Sequence, residues 1–335
     1  MAKIVGIDLG TANTLMCVKG QGIVLRKPSV VAISKSTGEV VALGQQARRM
    51  LGKTPEGITA FRPMKEGIVA DYSAITHMIR GYLEDIDAIA FFSRPSVIVS
   101  IPYGSTEVAR RAVEDAVFEA GAKSVALVDE PIAAALGSRV KVSSPKGKMI
   151  VDVGGGTTEV AVISLSGVVT SRTLRVAGDT MDNAIIDYLE SHRRFLIGQA
   201  TAEALKIKFG SAHPSVSKGD VDVFGRNLLS GMGAQIRVTS DELREALSEP
   251  AEKIIRGIAS TLEKTPPELS SDISDFGIIL TGGGAMLSGL GTLLQERLGI
   301  SVRTPERPLE SVCNGILRII ESEGELGGLL RYRNR

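Results

Sequence analysis

The chain has 335 residues, enough for two core-bearing lobes, and its 43% hydrophobic content with 4% aromatics and no Trp describes an aliphatic α/β interior. Lys+Arg number 39 against 38 Asp+Glu, so no global field draws the chain to nucleic acid, and none is expected among its partners. Cys17 and Cys313 stand far apart in apolar surroundings, as in a reduced cytosolic protein, and His77, His192 and His213 lack metal-ligand spacing. Residues 1–9 carry neither a basic region nor a long apolar run, so no signal peptide or membrane-spanning helix is expected.

The first element is a strand, Ile4–Leu9, ending in Asp8-Leu9-Gly10-Thr11 and returning through Thr14–Val18 to glycines at 20 and 22. A third strand is expected at Ser29–Ile33, then a small excursion over 34–71 with a short helix near Gln45–Leu51. A helix follows from Ser73 to about Asp85, and Ser96–Pro102 reads as a buried strand rich in β-branched residues. Ser105 or Thr106 caps the next helix, which Gly121 closes. Strand Ser124–Val128 then meets Asp129-Glu130-Pro131, with Pro131 suited to the first turn of a helix through Leu136.

At Met149–Thr158 the opening phrase recurs: an apolar strand, Asp152, glycines 154 to 156, and a return run Val160–Ile163. One such phrase is a weak signal. Two, each after a strand and before a hairpin, predict a duplicated phosphate-gripping device, because glycines let backbone N–H groups approach phosphate oxygens. Asp8 and Asp152 are then the candidates to hold a hydrated Mg²⁺, an ion that keeps its waters. Helices are expected at Met181–Leu196 and Thr201–Phe209, and 211–239 reads as an irregular insertion. Thr239-x-x-Glu242 is a capping box opening a helix that Pro250 should kink or restart and that stops before Pro266-Pro267. A strand Gly277–Thr281, the turn Gly282-Gly283-Gly284, a helix to about Leu298 and a last helix near Leu309–Glu321 complete the chain. Strands alternating with helices imply α/β lobes whose sheets are covered on both faces.

These phrases resemble the actin, sugar-kinase and heat-shock chaperone ATPase superfamily, whose fold is a duplicated, ribonuclease H-like α/β ATPase of two lobes around a nucleotide cleft. Within it, Arg62–Gly67, Ala70-Asp71-Tyr72, Glu130–Ala135, Ala177-Gly178-Asp179 and Leu262–Leu269 resemble MreB, the family of bacterial actin-like cell-shape proteins. The resemblance implies four subdomains: IA over 1–32, 66–140 and 315–335; IB over 33–65; IIA over 141–180 and 245–314; and IIB over 181–244. It implies ATP and Mg²⁺ as ligands, slow hydrolysis coupled to polymerisation, and paired protofilaments of the chain itself. It further implies a place in the cytoplasm on the inner face of the membrane, in contact with lipid and with wall-elongation membrane proteins, maintaining rod shape by organising peptidoglycan synthesis.

Residue by residue, Gly10, Thr11, Ala12 and Asn13 should face one side of the phosphates and Gly154, Gly155, Gly156 and Thr157 the other. Glu130, where a strand ends and a helix starts, is the candidate for orienting the attacking water, with Thr157 opposite; an acid that merely suits a helix N-terminus is the plainer alternative. Glu203 and Lys206 share one helix face; in relatives such a pair grips the ribose and flanks adenine, whereas alone it would be an ordinary surface ion pair. Gly178 falls in a shared phrase, and Gly282, Gly283, Gly284 and Met286 should form the opposite wall of the base pocket.

Phe91-Phe92, between a helix and a buried strand, are adjacent aromatics in an aromatic-poor chain and read as a loop contacting lipid or a partner, or else as a pair tucked against the neighbouring helix. Burying both would give about 3–5 kcal/mol, marginal for one subunit and firm for a filament displaying many. The basic tail Arg331–Arg335 is expected to be a solvated terminus, with assistance to binding of anionic lipid as the alternative. Other readings are a plasmid-segregating actin relative, a soluble small-molecule kinase of the same fold, and a chaperone ATPase, which would carry a substrate-binding domain after the ATPase lobes.

Overall fold

The structure, a computed structural model, describes residues 3–89, 93–322 and 324–332. The chain divides into two units, one of Met1–Lys146, Ile163–Ser171 and Leu309–Arg335, the other of Gly147–Val162 and Arg172–Pro308.

The first unit is built on a six-stranded sheet. In spatial order it runs Arg331–Tyr332, Ser124–Asp129, Ser96–Ile101, Ile4–Leu9, Asn13–Val18, Gly22–Pro28. The three strands around Ser96–Ile101 are mutually parallel, while Ile4–Leu9 pairs antiparallel with Asn13–Val18, Leu9 opposite Thr14. The parallel strands are apolar because both faces are covered: on one, Val5, Ile7, Val97, Val99, Val125 and Leu127 pack with Ile75, Met78, Ile79 and Leu83 of the helix Tyr72–Asp85 and Val113, Ala116 and Val117 of the helix Glu107–Glu119, and on the other Gly6 lies against Ile316 and Ile320 of the helix Ser311–Glu321. Thr106, not Ser105, caps the second helix by accepting from the Ala109 N–H at 3.2 Å. The expected third strand is shifted: Gly22–Pro28 completes the large sheet, while Val31–Ser34 belongs to a small sheet with Val40–Leu43 and Ile58–Phe61. Pro28 ends the first of these strands, and the chain leaves the sheet there.

A five-stranded sheet is ordered Gly167–Leu174, Thr158–Ser164, Lys148–Val153, Ile278–Thr281, Val302–Arg303, and all of it outside Ile163–Ser171 belongs to the second unit. Lys148–Val153 and Ile278–Thr281 are parallel, with Asp152 opposite Thr281. Helix Gly178–Arg193 starts and stops earlier than its periodicity indicated, since Arg194 turns left-handed and Phe195–Leu196 joins a small sheet. The stretch expected to be irregular is a β-hairpin, Val221–Asn227 with Gly233–Val238, one face half-buried and the other exposed. The Thr239–Glu242 capping box is present in full, and helix Ser240–Glu263 passes through Pro250 without a break. Leu247, Pro250, Ala251 and Ile254 are buried there, and that packing holds the turn from which proline removes a hydrogen bond. Pro266-Pro267 does more than stop that helix: it opens another, Pro267–Phe276, with proline at the first helical position where no N–H is required. Among the described residues, no helix is long and apolar enough to cross a membrane.

Candidate functional site

The two Asp-glycine hairpins have the same local construction, each within its own unit. In the first, Asp8 is the half-exposed position of a strand otherwise buried from Val5 to Leu9. In the second, Asp152 is the half-exposed position of Lys148–Val153, all of whose other residues are buried. A Cβ on Gly10 would lie 2.7 Å from the carbonyl oxygen of Asn13, and one on Gly154 would lie 3.1 Å from that of Thr157. Gly154 N–H donates to that same Thr157 oxygen at 2.9 Å. Both turns are tight at their first position: a side chain at Gly10 would force the backbone to shift, and one at Gly154 would need the Thr157 carbonyl to give way.

The residue after each turn is a fully buried threonine whose hydroxyl braces it. Thr14 Oγ1 lies 2.8 Å from Ser29 Oγ, which donates to the Gly10 carbonyl at 2.6 Å; Thr158 Oγ1 donates to the Val176 carbonyl at 2.6 Å. The two threonines and Ser29 escaped the sequence reading, although Thr14 and Thr158 hold equivalent places in the duplicated phrase. Thr11 is buried and its Oγ1 accepts from the Gly67 N–H at 3.4 Å; Ala12 carries no donating side chain, and its carbonyl accepts from the Ser29 N–H at 3.0 Å.

Glu130 sits half-buried at the first position of helix Glu130–Gly137, directly after strand Ser124–Asp129. That strand and Ile4–Leu9 both flank Ser96–Ile101 in parallel, so Asp8 and Glu130 emerge at the same carboxyl edge of one sheet. Binding residues in open α/β sheets cluster at that edge.

In the second unit the same edge brings together Asp152 and the glycine turn. Asp152 retains partial exposure, yet the protein packed around it pushes its carboxyl up to about 6. Gly282 N–H donates to the Pro308 carbonyl at 3.0 Å, and Gly283–Met286 forms a short 3₁₀ turn in which Met286 is 63% exposed. Helix Gly178–Arg193 begins against the glycine hairpin: Gly178 N–H donates to Gly154 O at 3.1 Å and Asp179 N–H to Gly155 O at 2.7 Å.

Glu203 and Lys206 lie on helix Gln199–Phe209, both half-buried. Lys206 is not a simple surface partner of Glu203. Its Nζ donates to the Gly178 carbonyl at 2.8 Å and lies 2.8 Å from Oδ1 of Asp182, a carboxylate 1% exposed. Burial drives Asp182 up to about 6 against the pull of Lys206. Asp182 follows the Ala177-Gly178-Asp179 phrase and resembles the same family there, but sequence reasoning assigned it no role; it stands four residues into the helix that begins with Gly178. The lysine thus ties that helix start to its own helix.

Phe91 and Phe92 lie outside the described residues. Beside them, Ala88 is buried and Ile89 packs partly buried on the first unit's core.

The chemistry of this donor set fits a nucleotide with a hydrated cation. No group of three or more His, Cys, Asp or Glu converges among the described residues, so a cage of protein ligands is not what they provide. Single half-open carboxylates beside glycine turns suit an ion that brings water and phosphate oxygens as its other ligands.

Two α/β units built on one repeated strand–Asp–glycine hairpin place the chain in the actin-like class of folds. It belongs to the MreB/Mbl family, whose model, described as MreB/Mbl protein, matches residues 2–327. The chain is 47% identical over 327 residues to the cell shape-determining protein MreB of Escherichia coli, covering 96% of this chain and 94% of that one. It is 43% identical over 321 residues to the cell shape-determining protein Mbl of Bacillus cereus, covering 96% of each. Among solved structures, Spiroplasma citri MreB5 bound to AMPPNP superposes with a TM-score of 0.92 at 33% identity, covering 98% of this chain and 99% of that one. The double helical filament of MamK matches with a TM-score of 0.79 at 20% identity, a likeness of fold alone, over 95% of this chain and 98% of that one.

Proposed function

We propose that the chain is an ATP-binding, slowly hydrolysing, filament-forming bacterial actin that maintains rod shape from the inner face of the membrane by organising peptidoglycan synthesis. The observation that carries the nucleotide part is the matched pair of hairpins, each presenting a half-open Asp and a braced glycine turn at the carboxyl edge of a sheet. Membership of a family whose named members determine cell shape, and likeness to a relative bound to AMPPNP, support the rest.

In this reading Gly10, Thr11, Ala12 and Asn13 take one side of the phosphates and Gly154, Gly155, Gly156 and Thr157 the other. Asp8 and Asp152 would hold Mg²⁺, which would supply positive charge to the phosphate oxygens. Glu203 reaches the ribose, Lys206 and Asp182 fix the helix start at Gly178, and Gly282, Gly283, Gly284 and Met286 take the base. Glu130 accepts a hydrogen bond from the attacking water and orients it, with Thr157 steadying the same water. A carboxylate in this role positions rather than bonds, which suits phosphoryl transfer and a slow rate. The four subdomains follow the boundaries given above, and ATP favours the arrangement that polymerises, with release after hydrolysis. Phe91 and Phe92 anchor the filament to lipid, many weak contacts adding up along the polymer.

The test is co-pelleting with anionic liposomes, with ATP, ADP or no nucleotide, for wild type and the Phe91→Ser/Phe92→Ser variant. ATP-promoted lipid pelleting that the variant loses, while it still forms filaments without lipid, is the expected result. Assembly with unchanged lipid binding in the variant removes the anchor. No assembly under any condition removes the cytoskeletal reading and favours the soluble kinase.

A further inference from the structure

The basic tail does not behave as a solvated terminus throughout. Arg331 and Tyr332 form the edge strand of the first sheet, antiparallel to Ser124–Asp129, with Leu127 opposite Arg331 and Ala126 opposite Tyr332. Residues 333–335 lie outside the described residues. The strand that Arg331 and Tyr332 cover is the one that runs directly into Glu130.

Asp129 is the N-cap residue of the Glu130 helix, yet its carboxyl makes no capping hydrogen bond. Pro131 accounts for part of this, because it removes the N–H of the second helical position, one of the two donors a cap uses. The carboxyl points instead to the tail. Its Oδ2 accepts from Nη2 of Arg331 at 2.7 Å, and the Asp129 side chain is only 12% exposed. Its Oδ1 is buried without a hydrogen-bond partner, as is Nε of Arg110, the other cation whose field reaches Asp129. Burial raises the Asp129 carboxyl, and the two guanidiniums oppose that rise. Without Arg331, the carboxyl is left with the Arg110 guanidinium and with the Ile132 N–H, the cap donor that Pro131 leaves in place. A carboxyl turned to either no longer ties the residue before Glu130 to the edge strand.

We propose that Arg331 is a positioning residue for ATP hydrolysis, holding the strand-to-helix junction at Asp129 so that Glu130 meets the attacking water. This inference rests on the reading of Glu130 given above. The contact joins residues 202 positions apart, so the end of the chain sets the geometry of a site laid down in its first half.

The test measures single-turnover phosphate release from pelleted filaments of the full chain with Mg²⁺ and saturating ATP, together with ATP affinity and melting temperature. The variants are R331A, R331K, D129N and E130A. R331A and D129N should slow phosphate release about tenfold, the scale of a small misplacement of a positioned group, with ATP affinity held within about twofold and melting temperature unchanged. R331K should recover most of the rate, because an ammonium still reaches the same carboxylate. Wild-type release by R331A overturns the inference, as does a loss of rate matched by an equal loss of affinity or of thermal stability. E130A separates the two levels. If E130A releases phosphate at the wild-type rate, the reading of Glu130 falls and this inference with it; if E130A is inert while R331A is normal, only the inference falls.

Discussion

A Cβ on Gly282 would stand 2.2 Å from Oδ1 of Asp152, with the Val153 carbonyl oxygen 2.4 Å away on the same side. The glycine backbone therefore lies flat against the carboxylate, and nothing larger fits between them. Gly282 also has φ of +85°, a conformation that residues with a side chain rarely adopt.

Gly282→Ala should accordingly lose on two counts. The backbone term alone is about 1–3 kcal/mol, and the overlap must displace Asp152 or the turn. A lowered melting temperature should accompany weakened binding of Mg²⁺·ATP, read by nucleotide protection in thermal denaturation. An alanine variant with wild-type stability and affinity would contradict the contact.

Asp152 gives a prediction with opposite signs for stability and binding. Its carboxyl titrates at about 6 in the folded chain, above the value near 3.9 of an unperturbed Asp. Between those values the native state binds more protons than the unfolded state, so stability falls as pH rises through the interval and the penalty is complete above it. Asp152→Asn removes the penalty. Without nucleotide the variant should melt higher than wild type at pH 7.5 and no higher at pH 4. It should nevertheless lose protection by Mg²⁺·ATP, because the carboxylate that meets the cation is gone.

Lys206 and Asp182 form a pair buried on the carboxylate side. Removing one partner of a buried pair costs about 3–5 kcal/mol when the other stays charged. Lys206→Met withdraws the attraction that lowers Asp182, so its carboxyl moves further up and takes a proton more readily. The native group then binds more protons, and stability falls as pH rises through its new value. Denaturant titrations at pH 8 and pH 5 should show the larger loss at pH 8; equal losses would mean that Asp182 does not carry the charge.

The capping box offers a control remote from the nucleotide. Thr239 N–H donates to Oε2 of Glu242 at 2.8 Å, and Glu242 N–H donates to Thr239 Oγ1 at 3.2 Å. Burial pushes Glu242 up, but the Thr239 backbone, the Arg193 side chain and the Thr239 hydroxyl outweigh it and hold the carboxyl below its ordinary value. Glu242 thus contributes stability that is present above its unfolded pKa and lost as pH falls through the folded one. Thr239→Ala should cost about 1 kcal/mol at pH 7, measured by urea unfolding, with ATP affinity unchanged.

What the sequence made legible was the part dictated by short-range chemistry. The two Asp-glycine hairpins, the Thr106 and Thr239 caps and the Pro131 helix start depend on residues a few positions apart, and each is where local rules put it. The losses came where distant packing decides. Val31–Ser34 has the composition of a large-sheet strand, but Pro28 closes that sheet's last strand and the chain enters a small one. Val221–Asn227 and Gly233–Val238 are too polar on their open face to stand out as strands until they pair. Pro250 ought to interrupt a free helix and does not interrupt a buried one. Among the candidate site residues, the strand-end positions of Asp8 and Asp152, the helix start at Glu130 and the glycine turns follow from the repeated phrase and local signals. The Lys206–Asp182 and Arg331–Asp129 contacts do not, since each joins residues on separate elements that no local pattern links.

The most direct test of the central claim is sedimentation and phosphate release followed together for wild type, D152N and E130A, with Mg²⁺·ATP, Mg²⁺·ADP or no nucleotide. Wild type should pellet with ATP and release phosphate slowly, D152N should do neither, and E130A should pellet with ATP without releasing phosphate. Pelleting of wild type and D152N alike, indifferent to nucleotide, would contradict a filament governed by ATP at this site.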